Sequence, residues 1–197
     1  MSSKSDKWVF GLMLVFGITA LIAAFALTLD KLEVLQNPNA ILSCSINLVL
    51  DCSRVMQTWQ SSLFGFPNMI IGLMGFPIVI TVALAGLGAA KLPRWFLTAF
   101  NIGVALAALF AFWLVFQSIY AIQILCPWCL VVTVSMSFIL STITHYNLAH
   151  NTFNLSKKLN EKIQVILSKD YDKLIVASWL VLLTALIFIK FGSALFA

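Results

Sequence analysis

Residues 95–129 read WFLTAFNIGVALAALFAFWLVFQSIYAIQILCPWC. From Trp95 to Leu125 no residue carries a charge, and Cys126-Pro127-Trp128-Cys129 follows at once. Drawn as one helix, the apolar run is about 46 Å long at 1.5 Å per residue. The hydrocarbon core of a bilayer is about 30 Å thick. The run therefore predicts a membrane span that tilts or projects. Gln117 and Gln123 mark its C-terminal end as the part that projects.

The rest of the chain agrees with a lipid solvent. Of 197 residues, 61% are apolar and 10% charged, whereas soluble domains are near half apolar and a quarter charged. The net charge of +5 does not indicate nucleic acid, because the basic residues lie between apolar runs and form no single patch. Trp8–Leu29 is uncharged and long enough to cross a bilayer. A small-residue site at Ala24-Phe25-Ala26 allows a cleaved signal peptide, but the length favours a retained helix. Further spans are expected at Pro67–Ala90, Pro127–Tyr146 and Leu174–Phe191, with Lys190 snorkelling from the last. Lys91-Leu92-Pro93-Arg94 is a tight basic connection, and residues 145–173 form a polar, basic one.

Residues 30–66 are the longest polar stretch between early spans. Pro38 and several Asn and Ser residues open it as irregular loop. From Arg54 to Leu63 the apolar Val55, Met56, Trp59 and Leu63 recur at helical spacing, with Arg54, Gln57, Gln60 and Ser61 between them, which predicts a short amphipathic helix on the membrane surface. The expected fold is all-α and integral to the membrane. Five transmembrane helices form it, four as a core bundle and the fifth outside. Gly86, Gly88, Ala89 and Gly103 offer places for close helix contact.

Lys and Arg set the orientation. With the N-terminus cytoplasmic, that side carries Lys4, Lys7, Lys91, Arg94, Lys157, Lys158, Lys162, Lys169 and Lys173. The other carries Lys31, Arg54 and Lys190, so nine of the twelve basic residues fall inside. Cys44 and Cys52 then share the extracytoplasmic face with Cys126 and Cys129, where disulfides persist.

Cys126 and Cys129 form a CxxC at a helix start, with Pro127 suited to the first helical position. Unpaired N–H groups there favour a thiolate. Cys129 is placed near the membrane boundary, within reach of a lipid-dissolved quinone head, and Cys126 nearer water. Between Cys44 and Cys52 no Pro or Gly fixes the chain, so a mobile loop is expected to carry that pair to the other for exchange. Other readings remain: cysteines as small hydrophobes, a zinc site, or a static Cys44–Cys52 disulfide without redox turnover. His145 and His150 fall on the opposite side and read as ordinary boundary residues.

The ordered set of motifs resembles the vitamin K epoxide reductase family, in its bacterial branch. Cys44-x7-Cys52 is followed by Ser53-Arg54-Val55. Phe64-Gly65-Phe66-Pro67 and Gly72 open the second span, and Cys126 and Cys129 open the fourth. The likeness covers roughly residues 8 to 146. It implies that Cys44 takes electrons from a thioredoxin-fold partner through a mixed disulfide. Cys52 then attacks Cys126, and Cys129 passes the electrons to a membrane quinone, ubiquinone or menaquinone. The partner is expected to be a separate DsbA-like protein.

Thr58 stands where the family has a small hydroxyl residue. Ser61 stands where animal members have the quinone-binding asparagine, with Asn68 nearby as a substitute. These three are the expected quinone-binding residues. Thr133 stands where animal members have a tyrosine, so the resemblance implies quinone reduction without implying vitamin K epoxide reduction.

Overall fold

A computed structural model describes residues 4–37, 42, 44–47, 49–169 and 171–195. Helix α1 spans Lys4–Gln36 and α2 spans Cys52–Met56, followed by a 3-10 turn at Trp59–Ser62. Then come α3 (Met69–Leu87), α4 (Arg94–Gln117), α5 (Pro127–Ala149), α6 (Lys157–Ser168) and α7 (Tyr171–Leu195). Five helices are long and apolar enough to cross a membrane, within residues 6–36, 69–87, 94–122, 127–149 and 171–192. The chain is a multi-pass, all-helical membrane protein.

Four of these form the bundle. α1 lies between α3 and α5, and α4 closes against α5. Small side chains let α1 in: Ala20, Ala23 and Ala24 are buried, and a Cβ built on Gly72 would stand 3.1 Å from that of Ala24. A Cβ on Gly86 would overlap the Phe10 ring, while one on Gly103 would meet open space. Of the small residues picked from sequence, Gly86 marks a close interhelical approach and Gly103 does not. Such packing suits lipid, where hydrophobicity alone does not draw helices together. Asn101 Nδ2 donates to Thr144 Oγ1 at 3.0 Å, and Asn147 Nδ2 to the Leu97 carbonyl at 3.2 Å, tying α4 to α5. α7 is peripheral. Only 11% of its most apolar stretch is buried, against 28–39% for the others.

The boundaries differ from the sequence reading where local bonds decide them. α1 runs on past Leu29 to Gln36, so the polar loop begins seven residues later than expected. Pro38 lies outside the described residues. The run from Trp95 is helical from Arg94 to Ile122 and ends three residues short of Leu125. α4 passes through a π-helical turn at Ser118–Ile122 and stops where Gln123 turns left-handed (φ 57°). That conformation is uncommon for a residue with a Cβ. Ser118 Oγ donates to the Ile124 carbonyl at 2.6 Å, fixing the reversal. The amphipathic stretch 54–63 is split between α2 and the 3-10 turn, and it buries Met56 and Gln60 against the bundle end.

The connection at 145–173 contains α6, which the polar reading passed over. Gln164 Nε2 donates from α6 to the Leu148 and Ala149 carbonyls at the end of α5. The two histidines also bind neighbours there. His145 Nδ1 is 2.7 Å from Asp172 of α7, and His150 Nε2 is 3.0 Å from Asp6 of α1.

Candidate redox site

The site lies at the bundle end away from α6, and a short ladder builds it. Leu50 and Leu125 form an isolated parallel bridge. The Leu125 N–H donates to the Val49 carbonyl at 2.7 Å, and the Asp51 N–H to the Leu125 carbonyl at 3.0 Å. The reversal at Gln123 lays residues 124–126 alongside residues 49–51, which sets Cys52 beside Cys126.

The loop is fastened at several further points. Asn47 Oδ1 accepts from the Val49 and Leu50 N–H groups at 3.0 and 2.8 Å. Asp51 caps α2: its Oδ1 accepts from the Ser53 and Arg54 N–H groups and from the Ser45 and Ser53 hydroxyls. Burial pushes the Asp51 carboxyl up, but these bonds together outweigh it and hold the group below its ordinary value. Lys31 Nζ reaches across from α1 to the Met56 carbonyl at 2.7 Å. Side-chain bonds thus fasten the described part of the loop where the sequence, with no Pro or Gly between the cysteines, shows no fastening.

Cys44 and Cys52 are joined as a disulfide with Cα atoms 5.8 Å apart. Cys126 and Cys129 are free. Cys126 Sγ lies 3.4 Å from Cys52 Sγ, in van der Waals contact across two segments far apart in sequence. Cys52, Cys126 and Cys44 are all buried, at 0%, 2% and 6% exposure. Leu27, Val34, Leu42 and Met56 close over them. In this state Cys44 and Cys52 share a bond, so neither offers a thiolate to a metal ion.

Cys126 is the N-cap of α5, and its sulfur accepts from the Cys129 N–H at 3.4 Å. The Cys129 side chain, with the Cys129 and Trp128 N–H groups, holds the Cys126 thiol below its ordinary value. Burial and the charge of Asp30 oppose that shift without cancelling it. Asp30 was read from sequence only as the start of a loop. It stands on α1 with Oδ2 3.2 Å from Cys44 Sγ, and its carboxylate and both bonded sulfurs fall within 4.8 Å of one another. The first charge after the uncharged run of α1 was the sequence signal for it.

Below the sulfurs the bundle encloses a cavity of about 440 Å³. Residues of α1, α3, α4 and α5 line it, and Cys126 and Cys129 form part of its wall. An apolar cavity of this size holding a few polar groups is the usual form of a small-molecule site. Thr58, Ser61 and Asn68 all line it, each with local bonds. Thr58 Oγ1 donates to the Val55 carbonyl at 2.8 Å. Ser61 Oγ is 2.8 Å from both the Met56 and Thr58 carbonyls. Asn68 braces the 3-10 turn, donating to the Gln60 carbonyl at 2.6 Å and accepting from the Leu63 N–H at 3.2 Å. Thr133 Oγ1 donates to the Cys129 carbonyl at 2.9 Å. Gln60, which the sequence reading treated as the polar side of a surface helix, is buried and lines the cavity. Among the described residues its side-chain amide has no hydrogen-bond partner.

The model of the vitamin K epoxide reductase family matches residues 11–144, well over half of the chain. That stretch contains all four cysteines and every cavity residue named above. No curated protein matches the chain.

Proposed function

The chain belongs to the vitamin K epoxide reductase family, and from that premise we propose that it oxidises a thioredoxin-fold dithiol protein and reduces a membrane quinone. The family is one of oxidoreductases, and the single observation that carries the finer reading is the 3.4 Å contact of Cys126 with Cys52. It joins a loop disulfide to a CxxC set in the wall of an apolar cavity.

The chemistry balances as two electrons and two protons. A partner thiolate attacks Cys44, and Cys52 leaves as thiolate. The partner's second thiol closes the partner disulfide and releases Cys44. Cys52 attacks Cys126 of an oxidised Cys126–Cys129 pair, displacing Cys129. Cys44 then attacks Cys52, closing the loop disulfide and releasing Cys126. The reduced pair gives its electrons and protons to the quinone, which leaves as quinol. Disulfide exchange requires near-contact of the attacking and attacked sulfurs, and the backbone bonds between residues 49–51 and Leu125 support it. The bonded Cys44–Cys52 pair beside free Cys126 and Cys129 corresponds to the point before the quinone is reduced. Because Cys44 is buried, entry of the partner requires the segment around it to open.

Thr58, Ser61, Asn68 and Gln60 are the polar groups proposed to meet the quinone head, with Gln60 the one whose amide is free to donate. The clustering of Lys around α6, at the end remote from the cysteines, supports a cytoplasmic α6 and an extracytoplasmic redox site in a bacterial inner membrane. The partner would then be a separate DsbA-like protein outside the membrane.

The test is absorbance-monitored reduction of short-chain ubiquinone or menaquinone by the purified protein, driven by a reduced thioredoxin-fold donor. Turnover is expected, and Cys129→Ala is expected to abolish it. Folded protein with titratable cysteines and no turnover with any donor or quinone would overturn the reading.

A further inference from the structure

We infer that Asp30 is the proton carrier for the Cys44 thiol, taking its proton when Cys44 attacks and returning one when Cys44 leaves a mixed disulfide. The inference rests on the proposed relay and names a residue which that relay does not use. Asp30 Oδ2 is 3.2 Å from Cys44 Sγ, within reach of an S–H bond once the disulfide is open. Its carboxylate lies near enough to all the buried sulfurs at this end to act on Cys126 as well.

The sulfurs of Cys44, Cys52 and Cys126 are buried under apolar side chains, while Asp30 is half-buried at their edge, where it can exchange a proton with water. A thiol there needs a local group to accept its proton before it can attack. The charged groups about Asp30 are Glu33, one turn on along α1, and Cys126 at the head of α5. Lys31, its neighbour, is turned to the Met56 carbonyl and bonds there.

Two steps use the carrier. When the partner's second thiolate breaks the S–S bond between Cys44 and the partner, the electron pair stays on Cys44 Sγ. The Asp30 carboxyl protonates that sulfur and becomes carboxylate. When Cys44 then attacks Cys52 in the Cys52–Cys126 disulfide, the proton returns to Asp30. The electron pair of the broken bond goes to Cys126.

Two measurements test this. In the fully reduced native chain, peptide mass spectrometry follows alkylation of Cys44 by iodoacetamide against pH. Asp30→Asn is expected to lower the midpoint, because a neighbouring carboxylate opposes the thiolate, and Asp30→Glu to keep it. In donor-driven quinone reduction, Asp30→Asn is expected to slow turnover at pH 7 by about tenfold or more. The deficit should shrink as pH rises and Cys44 ionises unaided, and Asp30→Glu should restore most of the rate. A midpoint unmoved by Asp30→Asn overturns the inference, as does Asp30→Asn turnover with the parent's rate and pH profile. A shifted midpoint in a chain whose parent shows no turnover would defeat the quinone-linked reading and leave the role of Asp30 at Cys44 standing.

Discussion

Cys126 Sγ rests 3.4 Å from Cys52 Sγ, and the contact is made by backbone before it is made by sulfur. The Leu50–Leu125 bridge sets the two segments in register. Each cysteine then opens a helix on its own side of that bridge, Cys52 at the first position of α2 and Cys126 as the cap of α5. An exchange site needs two sulfurs held together without a permanent bond. A two-residue ladder is a small structure for that task, and it makes the contact sensitive to changes on either strand.

A trapping experiment reads this contact directly. In a Cys44→Ser, Cys129→Ser double variant, each remaining sulfur has lost its own partner and faces the other. Mild oxidation is expected to join Cys52 to Cys126 in most molecules, as read by non-reducing peptide mass spectrometry. Recovery of both as free thiols would mean that the contact does not support exchange.

The two ends of the relay separate by donor. Cys129→Ala is expected to remove quinone reduction with any reductant, a loss of at least about a hundredfold. Cys44→Ala is expected to remove turnover driven by a thioredoxin-fold protein, while a small dithiol that can reach Cys126 still supports part of it. Normal protein-driven turnover in Cys44→Ala would sink the order of transfer.

Gln60 gives the cavity a donor that no neighbour among the described residues claims. Gln60→Leu removes it while keeping most of the volume. A neutral hydrogen bond contributes about 1 kcal/mol, and every 1.4 kcal/mol is tenfold in affinity. The quinone KM is therefore expected to rise about fivefold with kcat little changed. An unchanged KM, with Asn68→Leu raising it instead, would move the contact to Asn68.

How far the sequence reached follows from the same residues. The spans were legible because a lipid solvent demands unbroken apolar length, and Pro127 with its flanking cysteines announced a helix start. The end of α4 was not legible. Gln123 carries no turn signal, and the chain reverses there through the Ser118 bond to Ile124 and the tertiary bridge to Leu50, neither of which the sequence shows. The fastening of the Cys44–Cys52 segment was hidden for a similar reason, since Asn47 and Asp51 do with side-chain bonds what Pro or Gly would do with backbone. Gln60 was assigned to a wet surface by its polarity, whereas its place on the 3-10 turn points it into the bundle. Asp30 showed as a charge after an apolar run, but its neighbour Cys44 could be found only from the fold.

Asp51 makes the loop pH-sensitive in a direction that can be worked out. Its carboxyl is held below the ordinary value by the hydrogen bonds from Ser45, Ser53 and the backbone of α2, which together exceed the upward push of burial. A group whose folded value is depressed stabilises the fold above its unfolded value, about 3.9 for an aspartate, and loses that contribution as pH falls through the folded value. Removing the side chain also removes an N-cap, typically about 1 kcal/mol. Asp51→Ala is therefore expected to melt a few degrees lower than the parent at pH 6–7 in detergent. The gap should narrow below about pH 4 as the parent carboxyl is protonated. It should also slow transfer between the cysteine pairs, because the Asp51 side chain ties Ser45 to the start of α2, where Cys52 sits. Melting curves of the two proteins at pH 3.5 and 7, with the rate of Cys52–Cys126 trapping alongside, check both parts. A gap that is the same at the two pH values would show that the Asp51 charge does not fasten the loop.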